Sequence, residues 1–338
     1  MEYLNKDKFY LQPLVSVCVQ TYQHAKFIRE CLDSILKQQT NFTYEVIIGE
    51  DESNDGTRQI CIEYAKEYSD KIRLILRSRA NVIYMDGKPT GRYNFVENLK
   101  TAKGKYIAIC EGDDYWSDPL KLQKQVDFLE ANQDYSICFH RVWELYSDGR
   151  KVLDSMNPSE QEITYTIKDL ARGNIIHTPS VLFRNHLFES FPEWFNEVPA
   201  GDYVLHMLNA RYGLIKYLPH AMAVYRIHEA SMWSSQNRTT ILERWLKVLS
   251  VLISADFDFE VIQVLKSQKK KYINELLMIY FKADINKFLQ ELKKYNNEEP
   301  EIGKEWLFNH YPNYIKSFTS SNTYKIVTKI RALKGLIK

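Results

Sequence analysis

Long apolar runs, paired cysteines and basic blocks are all absent from this sequence, and each absence argues against a class of protein. No uninterrupted run of about 18 apolar residues occurs, so a transmembrane helix is not expected. The five cysteines are widely spaced and form no C-x-x-C pair, which argues against a zinc site and a disulfide framework. The net charge is only +2, and no basic block with interleaved aromatic residues indicates nucleic-acid binding.

The cysteines and the N-terminal residues predict a cytoplasmic protein. All five cysteines stand in apolar or helical contexts, as buried thiols do in a reducing compartment. Residues 1–7 lack the apolar segment of a signal peptide. At 338 residues the chain is long for one compact unit, so we expect one large domain with an appendage.

Short apolar runs alternate with stretches of helical periodicity in the first part of the chain. The predicted strands cover residues 13–19, 44–49, 72–76 and 106–110. The predicted helices cover residues 27–36, 57–68, 94–102 and 118–132, with a loop over 77–94. This alternation is typical of βαβ units and of a mostly parallel sheet. Polar turn residues follow the strands, so the C-terminal edge of the sheet is the predicted binding edge.

The most informative turn follows the fourth predicted strand and contains Glu111, Asp113 and Asp114. Asp118 and Pro119 are expected to supply the N-cap and the first residue of the next helix, so the two adjacent aspartates are not needed for capping. Adjacent carboxylates repel each other unless a cation or a hydroxyl ligand separates them. We therefore predict a divalent-metal and nucleotide site here, with a solvated acidic turn as the alternative.

Four segments, in this order and spacing, resemble the family 2 glycosyltransferases. They are residues 15–22, 50–57, 102–107 and 111–114. The resemblance covers about residues 13–235 and implies a nucleotide-sugar-binding domain at 1–235. Its expected fold is of the GT-A type, a mostly parallel open sheet with helices on both faces. Residues 236–338 contain only two glycines and long stretches of helical periodicity, which predict a helical C-terminal region.

On the nucleobase side, the resemblance implies that Tyr22 lies along the base and that Asp51 accepts a hydrogen bond from the ring N–H of uracil. The alternatives are a packing tyrosine and an Asx-turn residue. Asp55 is expected to be a turn or capping residue, or to contribute to the site. The chain carries Glu52 where the family usually has glycine, which is harmless if the local backbone is not left-handed.

On the diphosphate side, the resemblance implies that Asp113 contacts the ribose and that Asp114 holds Mn²⁺ or Mg²⁺. His228 fits the position of a histidine that often reaches the metal or the diphosphate; a surface or core histidine is the alternative. Many relatives carry an Arg-Asn pair in the helix before Ala102, and this chain does not. Arg92 is expected to supply the positive charge near the diphosphate instead.

Asp202 is the predicted catalytic base, because it matches the family's acidic motif at the start of a helix on the acceptor side. An aspartate there can take the proton from an acceptor hydroxyl as the oxygen attacks C1 of the sugar. The alternative is that Asp202 is simply the N-cap of the following helix. His177 is expected to shape the acceptor side, without an assigned role.

These residues together predict an inverting glycosyltransferase that moves a sugar from a nucleoside-diphosphate sugar, UDP-sugar foremost, to a hydroxyl group. The expected acceptor is a glycan or lipid-linked glycan in surface polysaccharide synthesis. A sugar-1-phosphate nucleotidyltransferase would need a glycine-rich first loop, which residues 20–23 lack. A non-catalytic nucleotide-sugar-binding protein would not need the complete set of aspartates.

Residues 325–338 combine a narrow apolar stripe at helical spacing with several lysines and arginines. One interpretation is a terminal helix that packs on the helical region. The other is a basic amphipathic helix that makes peripheral contact with an anionic membrane surface at the cytoplasmic side.

Overall fold

The computed structural model describes residues 2–5, 12–228 and 236–298. The chain divides into two compact units, Met1–Ser235 with Ala255–Val261, and Gln236–Ser254 with Ile262–Lys338. The basic tail predicted at residues 325–338 lies outside the described residues. Among the helices of the described residues, none has the length and apolar character needed to cross a bilayer.

The first unit is built on a large mixed sheet whose central strands are parallel. The described strands of the chain are β1 (Glu2–Leu4), β2 (Val15–Thr21), β3 (Tyr44–Glu50), β4 (Ile72–Leu76), β5 (Ile83–Met85), β6 (Lys88–Thr90), β7 (Tyr106–Ile109), β8 (Tyr115–Trp116), β9 (Tyr135–Tyr146), β10 (Lys151–Leu153), β11 (Ile163–Tyr165), β12 (Leu182–Arg184) and β13 (Leu214–Ile227). Strands β4, β3, β2 and β7 lie side by side and run parallel, which confirms the predicted core of the sheet. Strand β12 then runs antiparallel between β7 and β9, and β13 runs parallel to β9.

Helices cover both faces of this sheet. The described helices are α1 (Ile28–Leu36), α2 (Thr57–Glu67), α3 (Arg92–Thr101), α4 (Lys121–Ala131), α5 (Ile167–Leu170), α6 (Gly201–Asn209), α7 (Arg238–Ser254), α8 (Phe259–Ala283) and α9 (Ile285–Glu298). Ile48 of β3 belongs to an apolar cluster that includes residues of α1, α2 and α4. The next residue, Gly49, faces the other side, because successive residues of a strand alternate. A Cβ at Gly49 would meet Asn94 and Asn98, so α3 covers that side.

The helix after the acidic turn begins at Lys121, and the prediction that Asp118 caps it with Pro119 as its first residue is wrong. The Asp118 carboxylate instead accepts the Leu120 N–H at 2.8 Å and pairs with Lys124 Nζ at 2.6 Å. An aspartate that binds the N–H two residues ahead makes a turn of its own. This turn comes before α4 and delays the start of the helix.

Residues 77–94 were expected to be a loop, and this expectation is also wrong. Strands β5 and β6 form a short antiparallel hairpin, and α3 begins already at Arg92. Asp86 and Gly87 connect the two strands with φ values of +52° and +74°. Two positive φ values in succession are typical of the type I′ turn, which suits the twist of a hairpin.

The second unit confirms the predicted helical C-terminal region as far as residue 298. Helices α7 and α9 and the greater part of α8 belong to this unit. Its apolar cluster contains Leu242 and Leu246 of α7, Leu276 and Leu277 of α8, and Phe288 of α9. Each helix contributes at the three- and four-residue spacing of a single helix face, which is why the periodicity was visible in the sequence.

Candidate active site

The carboxyl ends of β2, β3 and β7 meet at one edge of the sheet. The Asp51 N–H donates to the Thr21 carbonyl at 3.1 Å, and the Gly112 N–H donates to the Gln20 carbonyl at 2.9 Å. These bonds extend the strand pairing into the loops, so the segments that carry Tyr22, Asp51 and Asp113 come together. The predicted convergence of these turns at the carboxyl edge of the sheet is confirmed, and the binding of a ligand at this edge stays a prediction.

Gly112 allows the acidic turn to approach the loop after β2 closely. A Cβ at this position would lie 2.6 Å from Thr21 Oγ1 and 2.8 Å from His24 Nδ1. Both distances are shorter than non-bonded carbon contacts allow, so a larger residue would push the turn away. Glycine here is required by the close contact between two loops.

The predicted nucleobase side contains a residue that the sequence analysis missed, Arg79. Its guanidinium lies 4.0 Å from the centre of the Tyr22 ring, and Nη1 pairs with Asp51 Oδ2 at 2.7 Å. Tyr22 is 38% exposed and Asp51 is 3% exposed. Burial raises the pKa of Asp51, and the charge of Arg79 opposes this shift. The group combines an accessible aromatic face with a buried hydrogen-bond acceptor.

Glu52 has a φ of +61°, so the backbone is left-handed at the position where the family usually has glycine. The replacement of glycine was expected to be harmless only if the local backbone is not left-handed, and this condition is not met. Left-handed backbone costs a non-glycine residue on the order of 1–2 kcal/mol. The Glu52 carboxylate accepts the Arg79 N–H at 2.6 Å and the Ser78 hydroxyl at 3.3 Å. These two bonds offset part of the cost and fix the backbone of Arg79.

Asp55 has the structural role that the sequence left open. Its Oδ1 accepts the Thr57 N–H at 3.0 Å and the Thr57 hydroxyl at 2.6 Å, next to the start of α2. Its Oδ2 accepts the Ala25 N–H at 3.0 Å. Asp55 therefore joins the loop after β3 to the loop after β2.

On the predicted diphosphate side, Asp113 lies between two histidines. Its Oδ2 is 3.0 Å from His228 Nε2 and 3.9 Å from His24 Nε2, and its side chain is 20% exposed. Burial raises the pKa of Asp113, but the hydrogen bond from His228 and the neighbouring His24 outweigh this effect, so the pKa lies below its ordinary value. One carboxylate and two imidazoles thus converge at the surface of the acidic turn.

Asp114, the predicted metal ligand, lies deeper in the protein than its neighbour Asp113. Its carboxyl group is buried, and Oδ1 accepts the backbone N–H of Arg226 at 2.8 Å. Burial and the charge of Asp113 raise its pKa well above the ordinary value. Its Oδ2 has no hydrogen-bond partner among the described residues, and the assignment of Asp114 as a metal ligand stays a prediction. Asp113, predicted to meet the ribose, is the aspartate beside His228.

Arg226 fixes this arrangement of the two aspartates. In addition to its N–H, its guanidinium donates to the Asp113 carbonyl and to the Glu30 carboxylate. The guanidinium also lies 5.0 Å from the ring centre of Phe27 and 4.7 Å from that of Tyr115. Arg226 of strand β13 thus fixes the acidic turn, and His228 directly follows the last residue of this strand.

The donor set around Asp113 fits Mn²⁺ or Mg²⁺ better than a structural metal. Asp113 and His228 provide two close donors, and the described residues contain no group of three or more ligands that could hold an ion by themselves. Mg²⁺ commonly takes one or two carboxylates and completes its shell with water and substrate phosphates. A structural zinc site would need four protein ligands.

Asp202 lies in the first turn of α6, which begins at Gly201 after the N-cap residue Ala200. The alternative that Asp202 is itself the N-cap is therefore not supported. Its charge acts on Glu111 and Tyr225, so the three side chains are near one another. Burial, followed by the charges of Asp113 and Asp202, raises the pKa of Glu111 to about 8. The sequence analysis placed Glu111 in the acidic turn but gave it no role of its own.

Arg92, which is expected to supply positive charge near the diphosphate, has its contacts inside the protein, and that role stays a prediction. Its side chain is buried, and Nη2 donates to the Val198 carbonyl at 2.8 Å. The guanidinium lies 5.1 Å from the ring centre of Phe195. Burial lowers its pKa to about 10, so the group remains a cation at neutral pH. Arg92 contacts the segment that leads into α6.

His206, one turn after Asp202, should make the stability of the fold depend on pH. Burial lowers the pKa of His206 from 6.5 to about 4, and neither ring nitrogen has a hydrogen-bond partner among the described residues. Between pH 6.5 and 4 the unfolded chain binds a proton that the folded chain does not. The stability linked to the neutral form of His206 is therefore fully present above this window. The free energy of unfolding falls by about 3 kcal/mol as the pH drops through the window.

Urea unfolding of His206→Leu and of the unmodified protein at pH 7 and pH 4.5 measures this effect. Between pH 7 and pH 4.5 the free energy of unfolding of the variant should fall by about 2–3 kcal/mol less than that of the unmodified protein, whatever the stability of the variant at pH 7. Equal losses in both proteins would contradict the assignment.

Comparison with known proteins identifies the family. The model of glycosyl transferase family 2 matches residues 16–191, just over half of the chain. The chain therefore belongs to this family. An uncharacterized protein of Mycobacterium tuberculosis is 38% identical over 225 residues, which are 65% of this chain and 61% of that protein. The chain thus spans about three fifths of the length of that relative. TuaG of Bacillus subtilis, named for teichuronic acid biosynthesis, is 29% identical over 51% of this chain and 62% of its own.

Solved structures confirm the GT-A type of fold. Residues 1–349 of Staphylococcus aureus TarS, in complex with UDP-GlcNAc, superpose with a TM-score of 0.55 at 21% identity, over 86% of this chain and 80% of that one. The mannosyltransferase PcManGT of Pyrobaculum calidifontis, in complex with GDP-Man and Mn²⁺, gives a TM-score of 0.54 at 17% identity, over 97% and 86%. At these identities the likeness concerns the fold alone.

Proposed function

We propose that the protein is an inverting, metal-dependent glycosyltransferase that moves a sugar from a nucleoside-diphosphate sugar, UDP-sugar foremost, to a hydroxyl group of a glycan. The observation that carries the proposal is the meeting of three kinds of group at one sheet edge. An aromatic face with a buried acceptor lies next to a carboxylate–histidine pair, and a further acid lies on α6. The fold is that of family 2 of the glycosyl transferases.

The nucleobase is expected at Tyr22 and Asp51. The exposed face of Tyr22 offers a stacking surface, worth on the order of 1–3 kcal/mol for a base. An ionised carboxylate only accepts hydrogen bonds, so Asp51 suits the ring N–H of uracil. Arg79 keeps the Asp51 charge compensated at 2.7 Å, which favours the ionised form. The complex of the structurally similar TarS with UDP-GlcNAc supports a uracil nucleotide.

Asp113 and His228 would hold the divalent cation, and Asp114 with Arg226 would keep the turn in position. When bound, the cation supplies positive charge that stabilises the leaving diphosphate. The Mn²⁺ in the complex of PcManGT supports this choice of metal. Asp113 is the better candidate than Asp114 because its carboxylate reaches the surface beside an imidazole nitrogen at 3.0 Å.

Asp202 is the proposed catalytic base. The acceptor oxygen forms a bond to C1 of the sugar while the bond between C1 and the diphosphate oxygen breaks, and the acceptor proton passes to an Asp202 carboxylate oxygen. Attack from the face opposite the leaving group inverts the configuration at C1. A polysaccharide acceptor is supported by the teichuronic acid relative, TuaG.

Thermal-shift measurements with UDP-GlcNAc, GDP-mannose and dTDP-glucose, each with and without Mn²⁺, test the donor assignment. UDP-GlcNAc should stabilise the protein only with Mn²⁺, by about 2.7 kcal/mol at 100 times its dissociation constant. Asp51→Asn serves as the matched control, because the shape is kept while the acceptor oxygen pair is lost. The donor assignment fails if no nucleotide shifts the transition, or if Asp51→Asn responds to UDP-GlcNAc as the unmodified protein does.

A further inference from the structure

Arg92 is a buried cation for which the proposed reaction has no direct use. Its Nη2 donates to the carbonyls of Val198 and Pro199 at 2.8 and 3.4 Å. No carboxylate lies within ion-pair distance of it in the described part of the chain; the charges that act on it are those of Asp202, first, and Glu111. Burying a guanidinium without a close counter-ion is costly, so a structural purpose alone would be served better by an apolar side chain.

The start of α6 is shaped to receive this guanidinium. A Cβ at Gly201 would lie 1.2 Å from Arg92 Nη1 and 2.1 Å from Cζ, so any side chain at 201 would occupy the space of the arginine. Asp202 is the next residue. The Arg92 guanidinium thus lies directly against the backbone of the residue before the proposed base, Asp202. This contact sets the position of Asp202.

Helix α3, which begins at Arg92, also contacts strands β2 and β3 close to their C-terminal ends. Asn94 Nδ2 donates to the Gly49 carbonyl at 2.7 Å, and Asn98 Nδ2 donates to the Val19 carbonyl at 3.0 Å. Arg77 completes this buried group by donating to both asparagines at 2.7 Å. Gly49 and Val19 lie two residues before Asp51 and three before Tyr22. The middle residues of α3 therefore contact the strand ends that precede Asp51 and Tyr22. Its first residue, Arg92, contacts the segment that precedes Asp202.

We propose that Arg92 is a positioning residue for the transfer step: it holds residues 198–201 so that Asp202 stays at a fixed distance from the sugar donor bound at the strand ends. This inference rests on the proposed function of Asp202. Misplacing a catalytic group by about 1 Å can cost on the order of 10²-fold in rate without changing the binding of the nucleotide.

The test compares Arg92→Lys with Arg73→Lys as the matched control. Arg73 is also buried, donates to the Thr101 carbonyl at the other end of α3 and pairs with Glu45 at 2.7 Å. The readout is UDP release from UDP-GlcNAc with Mn²⁺, analysed for kcat and KM separately. Arg92→Lys should lower kcat by about 10- to 100-fold and leave KM within about twofold. Arg73→Lys should leave kcat unchanged, per folded molecule.

A second variant keeps the inference testable if Arg92→Lys folds poorly. Gly201→Ala must displace the guanidinium and should lower kcat in the same way, and the double variant should lose less than the sum of the two single losses, because both remove one contact. Equal kcat values for Arg92→Lys and Arg73→Lys, or strict additivity with Gly201→Ala, would overturn the positioning role. If Asp202→Asn itself retains full turnover, the proposed function fails instead, which separates the two outcomes.

Discussion

Replacing Asp202 by asparagine is expected to lower turnover by about 10²- to 10⁴-fold, the usual contribution of a general base, while the affinity for the nucleotide stays nearly unchanged. Asparagine keeps the shape of the side chain and cannot take the acceptor proton. Asp202 lies inside the first turn of α6 and not at its N-cap, so the helix does not depend on the carboxylate for capping. Steady-state kinetics together with titration of UDP in the presence of Mn²⁺ separate the two effects.

Glu197→Gln is a suitable control for this variant. Glu197 is exposed and lies five residues before Asp202, so its replacement removes the same charge from the same region. Turnover of the control should remain that of the unmodified protein. A parallel collapse of UDP binding and turnover in Asp202→Asn would assign the residue to the donor site or to the fold.

Asp113→Asn should abolish the Mn²⁺-dependent stabilisation by UDP and reduce turnover on the order of 10³-fold, because the amide cannot supply the charged oxygen that a divalent cation prefers. Asp114→Asn should keep the Mn²⁺ dependence. Its Oδ1 can still accept the Arg226 N–H that lies at 2.8 Å, so the turn keeps its shape. Thermal shifts and turnover measured across a series of Mn²⁺ concentrations distinguish the two variants.

The reverse result would restore the assignment made from the sequence. If Asp114→Asn loses the Mn²⁺ response and Asp113→Asn keeps it, the buried carboxylate is the ligand and the turn must rearrange when the cation binds. His228→Ala then becomes informative, since it removes the partner of Asp113 at 3.0 Å without touching Asp114.

The parallel core of the sheet and the convergence of polar turns at its carboxyl edge could be predicted because both depend on local patterns. β-Branched runs form buried strands, and polar residues directly after them have to lie at the carboxyl edge. The same logic predicts Tyr22, Asp51 and Asp113 at one edge of the sheet. The hairpin at 83–90 was missed because its strands are three residues long, which is too short for alternation to be recognised.

The orientation of the two adjacent aspartates could not be predicted, because the deciding contact is remote in sequence. The N–H of Arg226, 112 residues further along, selects Asp114 as the buried one. The contacts of Arg92 could not be predicted for the same reason, since its partner Val198 is 106 residues away. Glu52 retains the left-handed backbone typical of a glycine, a property that only coordinates reveal.

The salt bridge between Asp51 and Arg79 bears on which pyrimidines the protein can tell apart. The guanidinium at 2.7 Å favours the ionised form of Asp51, and in that form the carboxylate presents only lone pairs to an incoming ring. Uracil carries a hydrogen on its N3 atom and can satisfy them, whereas cytosine carries a lone pair there and would be repelled. If the nucleobase lies at Tyr22 and Asp51 as we propose, the absence of this one hydrogen atom excludes CDP-linked sugars as donors. CMP should then be a poor competitor of the donor, and UMP a good one.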